Sequence, residues 1–288
     1  MPSQRQLKSR IRSVKNTKQI TKAMQMVAAS KMRRAQDATK ATAAYTATAR
    51  DILAHLAKQG ATNHHPLFEA RPVKKRLLIV IASDKGLAGA YNGNVAKHYL
   101  RELIADDKAH VKTDTIAIGR KVTQFATRLK DTKLIGAYED LPDQLEGHEL
   151  RAVLDTAYKH YESGDVDAVD FVYTEFISSI TQTTKTERLL PAGQAGEVTD
   201  ESINEAEFEP STEVVLESVV YRLLGAQLFQ AFLDARASEH SMRMLAMKNA
   251  TDNATDLVDD LTLAMNKARQ SAITQELAEI SGGSEAMK

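Results

Sequence analysis

Cysteine is absent from this chain, so it has no disulfide, no thiolate metal site and no cysteine nucleophile. Tryptophan is absent too, and aromatic residues make up only 5% of the 288 positions. That scarcity suits slender helical packing better than a broad core. Helix breakers are missing from both ends. Between Met1 and Gln59 there is no glycine, and Pro2 is the only proline; between Ser211 and Ser281 there is no proline, and Gly225 is the only glycine. Nothing in either stretch interrupts a helix. As continuous helices they would run about 80 Å and about 105 Å at 1.5 Å per residue. Long apolar runs are also missing. The longest, Leu77–Ala82, has six residues, so no segment spans a membrane, and the charged N-terminus has no apolar signal core.

The formal net charge of zero hides a strong asymmetry. Residues 1–60 carry 13 Lys/Arg against 2 Asp/Glu, net +11, and residues 197–288 carry 7 against 17, net −10. A basic first helix and an acidic last helix favour each other's company. Each also carries an apolar stripe at three- and four-residue spacings. In the first it runs through Leu7, Ile11, Val14, Ile20, Met24, Val27, Ala28, Met32 and Ala35. In the last it runs through Leu216, Val220, Leu223, Leu228, Ala231 and Ala235, then Leu257, Leu261, Ala264 and Ala268. This is the coiled-coil period, imperfect where Lys18 and Thr21 interrupt it. A helix so long needs another long helix to bury its stripe, so the two ends are expected to pair as an antiparallel coiled coil. A dense run from Lys8 to Arg34 could suggest nucleic acid. The acidic last helix competes for that charge, and no aromatic precedes Tyr45; no nucleic-acid partner is expected.

Between the ends the pattern changes. Leu77–Ala82 reads as a strand buried on both faces, as in a parallel sheet. Residues 92–106 are helical, Thr113–Gly119 a strand, Arg120–Leu129 and His148–Tyr161 helices. Ala168–Ile177 and Thr181–Leu190 are two more strands, with the spacing of a hairpin. The expected fold class is therefore α/β: a long antiparallel coiled coil from the N- and C-terminal segments plus a central Rossmann-like domain. The expected domains are 1–60, 74–196 and 211–281, with an acidic linker over 197–217.

An α/β layer invites an enzyme reading. The segment Ser83-Asp84-Lys85-Gly86-Leu87-Ala88-Gly89 follows a strand and precedes a helix, where doubly wound sheets bind phosphates. Its glycines match neither the dinucleotide fingerprint nor a Walker loop, and no Ser or Thr follows Lys85 where a magnesium ion would need one. It reads as a tight turn. His64-His65 has no acidic or cysteine partner at ligand spacing. Asp259-Asp260 and Glu276/Glu279 read as solvated helix faces. No catalytic residue, cofactor site or metal site is expected.

Three segments carry a more specific signal. Ile20 through Arg33, the glycine segment 83–89, and the stretch from Ala237-Ser238-Glu239 through Met247–Asn253 to Asn266–Leu277 together resemble the gamma subunit of F-type ATP synthases. The resemblance covers the whole chain, and its terminal motifs are the specific ones. One departure is Ala88, where members of that family often carry cysteine. The resemblance implies a central rotor shaft, without an active site of its own, that couples ion flow through a membrane ring to ATP synthesis. It implies as partners the alpha and beta subunits of the hexamer, the epsilon subunit and the c-ring, and a peripheral place on the cytoplasmic face of a bacterial cell membrane. Carried over by position, it implies that Met24, Lys31, Arg33, Arg34 and Ala88 face the lever of beta. It places Arg269, Gln270 and Thr274 against beta loops near the helix tip, with Ile273, Leu277 and Ile280 as an apolar spindle, and Glu209 in the region that meets the c-ring. Without the resemblance, two alternatives stay open: a coiled-coil scaffold, or a nucleotide-binding α/β enzyme with a helical hairpin.

Overall fold

The computed structural model describes residues 3–58, 65–130, 132–142, 147–193 and 212–286. Helix α1 spans Gln4–Lys58 and α5 spans Thr212–Ala286, 55 and 75 residues. Between them lie β1 Lys75–Ile81, α2 Tyr91–Lys108, β2 Lys112–Ile118, α3 Arg120–Ala126, β3 Lys133–Tyr138, α4 Arg151–Glu162, β4 Ala168–Phe176 and β5 Gln182–Leu190. The sheet order is β3-β2-β1-β4-β5. The first four strands are parallel, and β5 returns antiparallel along β4 as the expected hairpin. This is the doubly wound order, with its switch point between β1 and β4. Strand β3 was not anticipated: Lys133-Leu-Ile-Gly-Ala-Tyr is a short edge strand, half-buried and interrupted by Gly136. The acidic segment expected to run as a linker to residue 217 gives way to helix at Thr212.

The chain forms two compact units, one of residues 29–243 and one of residues 1–28 with 244–288. In the larger unit the apolar run of β1 explains the layering. Leu77, Ile79 and Ile81 point to one face and Leu78 and Val80 to the other, all at most 1% exposed. Each such side chain contributes about 1.5–3 kcal/mol by leaving water. The second face is covered by α2 and α3 through Tyr91, Val95, Tyr99, Val122 and Ala126. The first is covered by α4 through Val153, Leu154 and Tyr161. It also takes Ala49 and Leu53 of α1 and Val220 through Ala235 of α5. Here the sequence expectation needs correction. These parts of the long helices do bury their stripes in a compact core, because the sheet offers a broad apolar face that another helix would not fill. They still touch each other: the Thr42 hydroxyl donates to the Gln230 side chain, whose amide nitrogen reaches the Thr39 carbonyl at 3.4 Å.

In the smaller unit the two helical segments pair through Leu7, Ile11, Ala28, Met247 and Ala254, all buried. Thr21, the polar interruption in the stripe, meets Thr251 by a 2.8 Å hydrogen bond, so the seam tolerates it. Four of the expected seam residues lie outside it. Ile20, Val27 and Leu257 are 60%, 55% and 47% exposed, and Ala264 is exposed as well. A straight helix drifts by about 20° per heptad relative to a 3.5-residue repeat, so two helices cover only part of a broad apolar stripe.

Candidate partner interface

The glycine segment is a tight turn built by its own polar side chains. Buried Ser83 donates its hydroxyl to the Lys85 carbonyl at 2.7 Å, and its amide donates to Asn92 Oδ1 at 3.2 Å. Asp84 Oδ1 accepts the backbone N–H groups of Arg120 (3.0 Å) and Asp140 (3.1 Å), tying together the loops after β1, β2 and β3. Leu87 and Gly89 take left-handed backbone angles, φ 60° and 56°. For leucine that conformation is strained, and its side chain is 62% exposed.

In doubly wound sheets the crevice at the switch point, beyond the carboxyl ends of the strands, receives nucleotides. Here α5 fills it. Ser238 donates to the Thr174 carbonyl at 3.1 Å and Ser241 to the Ser179 carbonyl at 2.7 Å. Arg243 donates to the carbonyls of Lys85 (3.2 Å) and Gly86 (3.3 Å) and to Glu239 at 2.7 Å. Arg236 pairs with Glu239 at 3.2 Å and with Asp84 at 3.8 Å, donates to the Leu141 carbonyl, and stacks on Phe232. Glu239 is 3% exposed and holds both arginines. Burial, reinforced by the negative charge of Glu239, pushes the Tyr91 phenol up. These groups leave a cleft of about 240 Å³ lined by Lys31, Asp84, Lys85, Asp140, Arg236, His240 and Arg243. The turn and helix α5 are therefore latched by buried ion pairs, which break at a cost of about 3–5 kcal/mol when one partner is removed.

The anticipated contact residues fall in different places. Lys31 lines the cleft beside the turn and, with Arg34, a second cavity of about 270 Å³ against Phe229, Phe232 and Arg236. Arg33 and Arg34 are exposed, and Met24 is half-buried in the smaller unit. Ala88 is 2% exposed and packs in the core beneath the turn, so the outward side chain of this segment is Leu87. Arg269, Gln270 and Thr274 are all exposed, with the Thr274 hydroxyl donating to the Gln270 carbonyl at 2.9 Å. Ile273, Leu277 and Ile280 are 50%, 62% and 70% exposed. Glu209 and His64 lie outside the described residues. Sequence reasoning missed Leu87, Arg236, Glu239 and Arg243. The spacing 236, 239, 243 does place the last three on one helix face, which was the available signal.

The family model described as ATP synthase matches residues 3–287. Two relatives named ATP synthase gamma chain, from Staphylococcus saprophyticus and Stenotrophomonas maltophilia, are 37% and 38% identical, each covering 100% of both chains. Among solved structures, a chain of the Euglena gracilis mitochondrial ATP synthase superposes with a TM-score of 0.69 at 18% identity, covering 99% of this chain and 94% of that one. A chain of the Tetrahymena thermophila mitochondrial central stalk and c-ring gives 0.63 at 22% identity, covering 80% and 99%. At such identity the structures speak for the fold, while the full-length relatives speak for the family. The chain belongs to the ATP synthase family, among its gamma chains.

Proposed function

We propose that the chain is the central rotor shaft of an F-type ATP synthase, turning within an alpha–beta hexamer and coupled below to epsilon and the c-ring. Segments 1–60 and 211–281 form the shaft and 74–196 its foot. One observation carries this reading. Of the fifteen large apolar residues that stand exposed among those described, nine lie on the helical segments of the smaller unit: Ile20, Met26, Val27, Leu245, Leu257, Leu263, Ile273, Leu277 and Ile280. Apolar surface spread along the outside of a helix pair marks an interaction surface, and a ring of subunits around the pair covers it from every side.

An asymmetric shaft cannot complement three catalytic sites equally. Each orientation gives the sites different interaction free energies, and turning the shaft permutes them. The exposed cations Arg33 and Arg34, with Lys31 and Met24, fit an acidic lever on beta, as does the turn that carries Leu87 over Ala88. Arg269, Gln270 and Thr274 fit polar contacts near the tip, and Glu209 fits the contact with the c-ring. No helix among the described residues is long and apolar enough to cross a membrane, and the relatives named above are bacterial. Attachment through the ring and the bacterial relatives support a peripheral position on the cytoplasmic face of the cell membrane. The test is affinity purification of the tagged full chain from mild detergent. Co-elution of alpha, beta, epsilon and c subunits is expected. A homodimer eluting alone, or saturable nucleotide binding by the chain itself, overturns the reading.

A further inference from the structure

The carboxyl edge of the sheet carries the glycine turn. The opposite edge has a character of its own. Strands β1, β2 and β3 each open on a lysine: Lys75, Lys112 and Lys133, with Lys75 and Lys112 directly paired in register. Lys130, in the segment leading to β3, joins them around a cleft of about 590 Å³. Lys75 is engaged by Asp114 at 2.7 Å. That leaves Lys112, Lys130 and Lys133, all exposed, against Asp107 as the other carboxylate of the lining. The same cleft presents Leu100 and Ile104 of α2, 39% and 48% exposed. Lysines scattered over a surface keep a protein soluble and need no partner. Lysines gathered at one edge around exposed aliphatic side chains combine the two features by which peripheral proteins settle on anionic membranes.

We propose that this edge docks on the anionic phospholipid surface of the membrane. The proposal rests on the rotor reading above, in which the glycine turn faces the hexamer. The parallel strands run from the lysine edge toward that turn, so the lysine edge faces the other way, toward the ring and the bilayer around it. The three lysines meet the phosphate headgroups, while Leu100 and Ile104 reach the boundary with the acyl chains. Each lysine close to an anionic leaflet raises partitioning about fivefold, and salt screens that gain.

The test uses the hexamer-and-stalk complex containing the full chain, released from its ring. On the rotor reading the hexamer encloses the basic segment of α1 in that complex, so lipid binding there reads the exposed lysine edge. Sedimentation with phosphatidylcholine vesicles, with and without phosphatidylglycerol, reads the docking. Binding is expected only when phosphatidylglycerol is present, is expected to weaken with salt, and is not competed by inorganic phosphate at equal ionic strength. The triple variant Lys112→Gln, Lys130→Gln, Lys133→Gln should lower partitioning about a hundredfold, as the product of three fivefold terms. ATP hydrolysis by the complex should be unchanged, which verifies folding. Leu100→Ser with Ile104→Ser should weaken binding while leaving its salt dependence intact. Equal binding of the lysine variant and the unaltered complex, or equal binding to neutral vesicles, overturns the proposal. Failure of the rotor reading shows earlier and separately, as absence of the chain from the purified complex.

Discussion

Asp234 shows how much a single residue's chemistry depends on neighbours distant in sequence. It sits on α5, 8% exposed, near Glu175 of β4. Lys185, Gln230 and Arg50 oppose, and Lys185 is itself shared with Glu175 (2.8 Å) and Glu187 (3.9 Å) while Arg50 pairs with Glu187. Three carboxylates thus share two cations. Burial, then Glu175, push the Asp234 carboxyl up from 3.8 to about 7. The folded value lies above the unfolded one, so the folded state holds the extra proton between these pH values. Its contribution is full below about pH 4 and is lost as pH rises through about 7, at roughly 1.4 kcal/mol per pH unit inside that window. Asp234→Asn imitates the protonated form. It should raise the thermal midpoint at about pH 8 and leave it nearly unchanged at about pH 4, with roughly 2–4 °C expected per kcal/mol. An equal shift at both pH values, measured by calorimetry, would contradict this. None of it was legible in the sequence, where Asp234 is one acidic residue in an acidic helix. The latch formed by Arg236, Glu239 and Arg243 was half legible: their spacing is visible, but the carbonyl that Arg243 reaches lies 158 positions away.

The sequence reads best at the level of elements. Helices α1 and α5 follow directly from the absence of breakers, and β1 from its unbroken aliphatic run. Strand β3 escaped because its apolar residues form a short run broken by Gly136, and an edge strand that is nowhere fully buried leaves no clear alternation to read. The seam was read too generously, since Ile20, Val27 and Leu257 belong to the stripe but face outward. Two glycines separate what an element needs from what it tolerates. Gly119 ends β2 at φ 99°, and a Cβ there would stand 2.3 Å from the Ala82 carbonyl oxygen. The strand ends pack backbone to backbone at this point, so Gly119→Ala should destabilise the chain by several kcal/mol, or about 3 kcal/mol at the least. Gly225, the one glycine between residues 211 and 281, would place a Cβ at an ordinary 3.5 Å from Leu154. Gly225→Ala should stabilise α5 by about 0.5–1 kcal/mol. Urea titration of both variants reads the two signs, and a destabilised Gly225→Ala would show that α5 needs a flexible joint there.

For the whole molecule, two long terminal helices and a central sheet were legible from the missing breakers and the aliphatic runs, whereas its role depended on three motif segments that composition alone would have left as scaffold or enzyme. A stiff helical pair with apolar residues on its outside is suited to turn inside a ring, and a buried ion-pair latch joins its longer helix to a turn whose Leu87 projects outward. The central claim is that this chain moves relative to beta while ATP turns over, and the absence of cysteine makes a direct measurement clean. Leu87→Cys supplies the only thiol on the chain, at an exposed position that already tolerates a side chain at φ 60°. A matching cysteine on the facing lever of beta permits one disulfide between shaft and hexamer. ATP hydrolysis is then followed against cross-link yield. The account predicts that activity falls in proportion to the yield and returns on reduction, because a covalent tether holds the shaft in one orientation. Full hydrolysis in the fully cross-linked complex would contradict it.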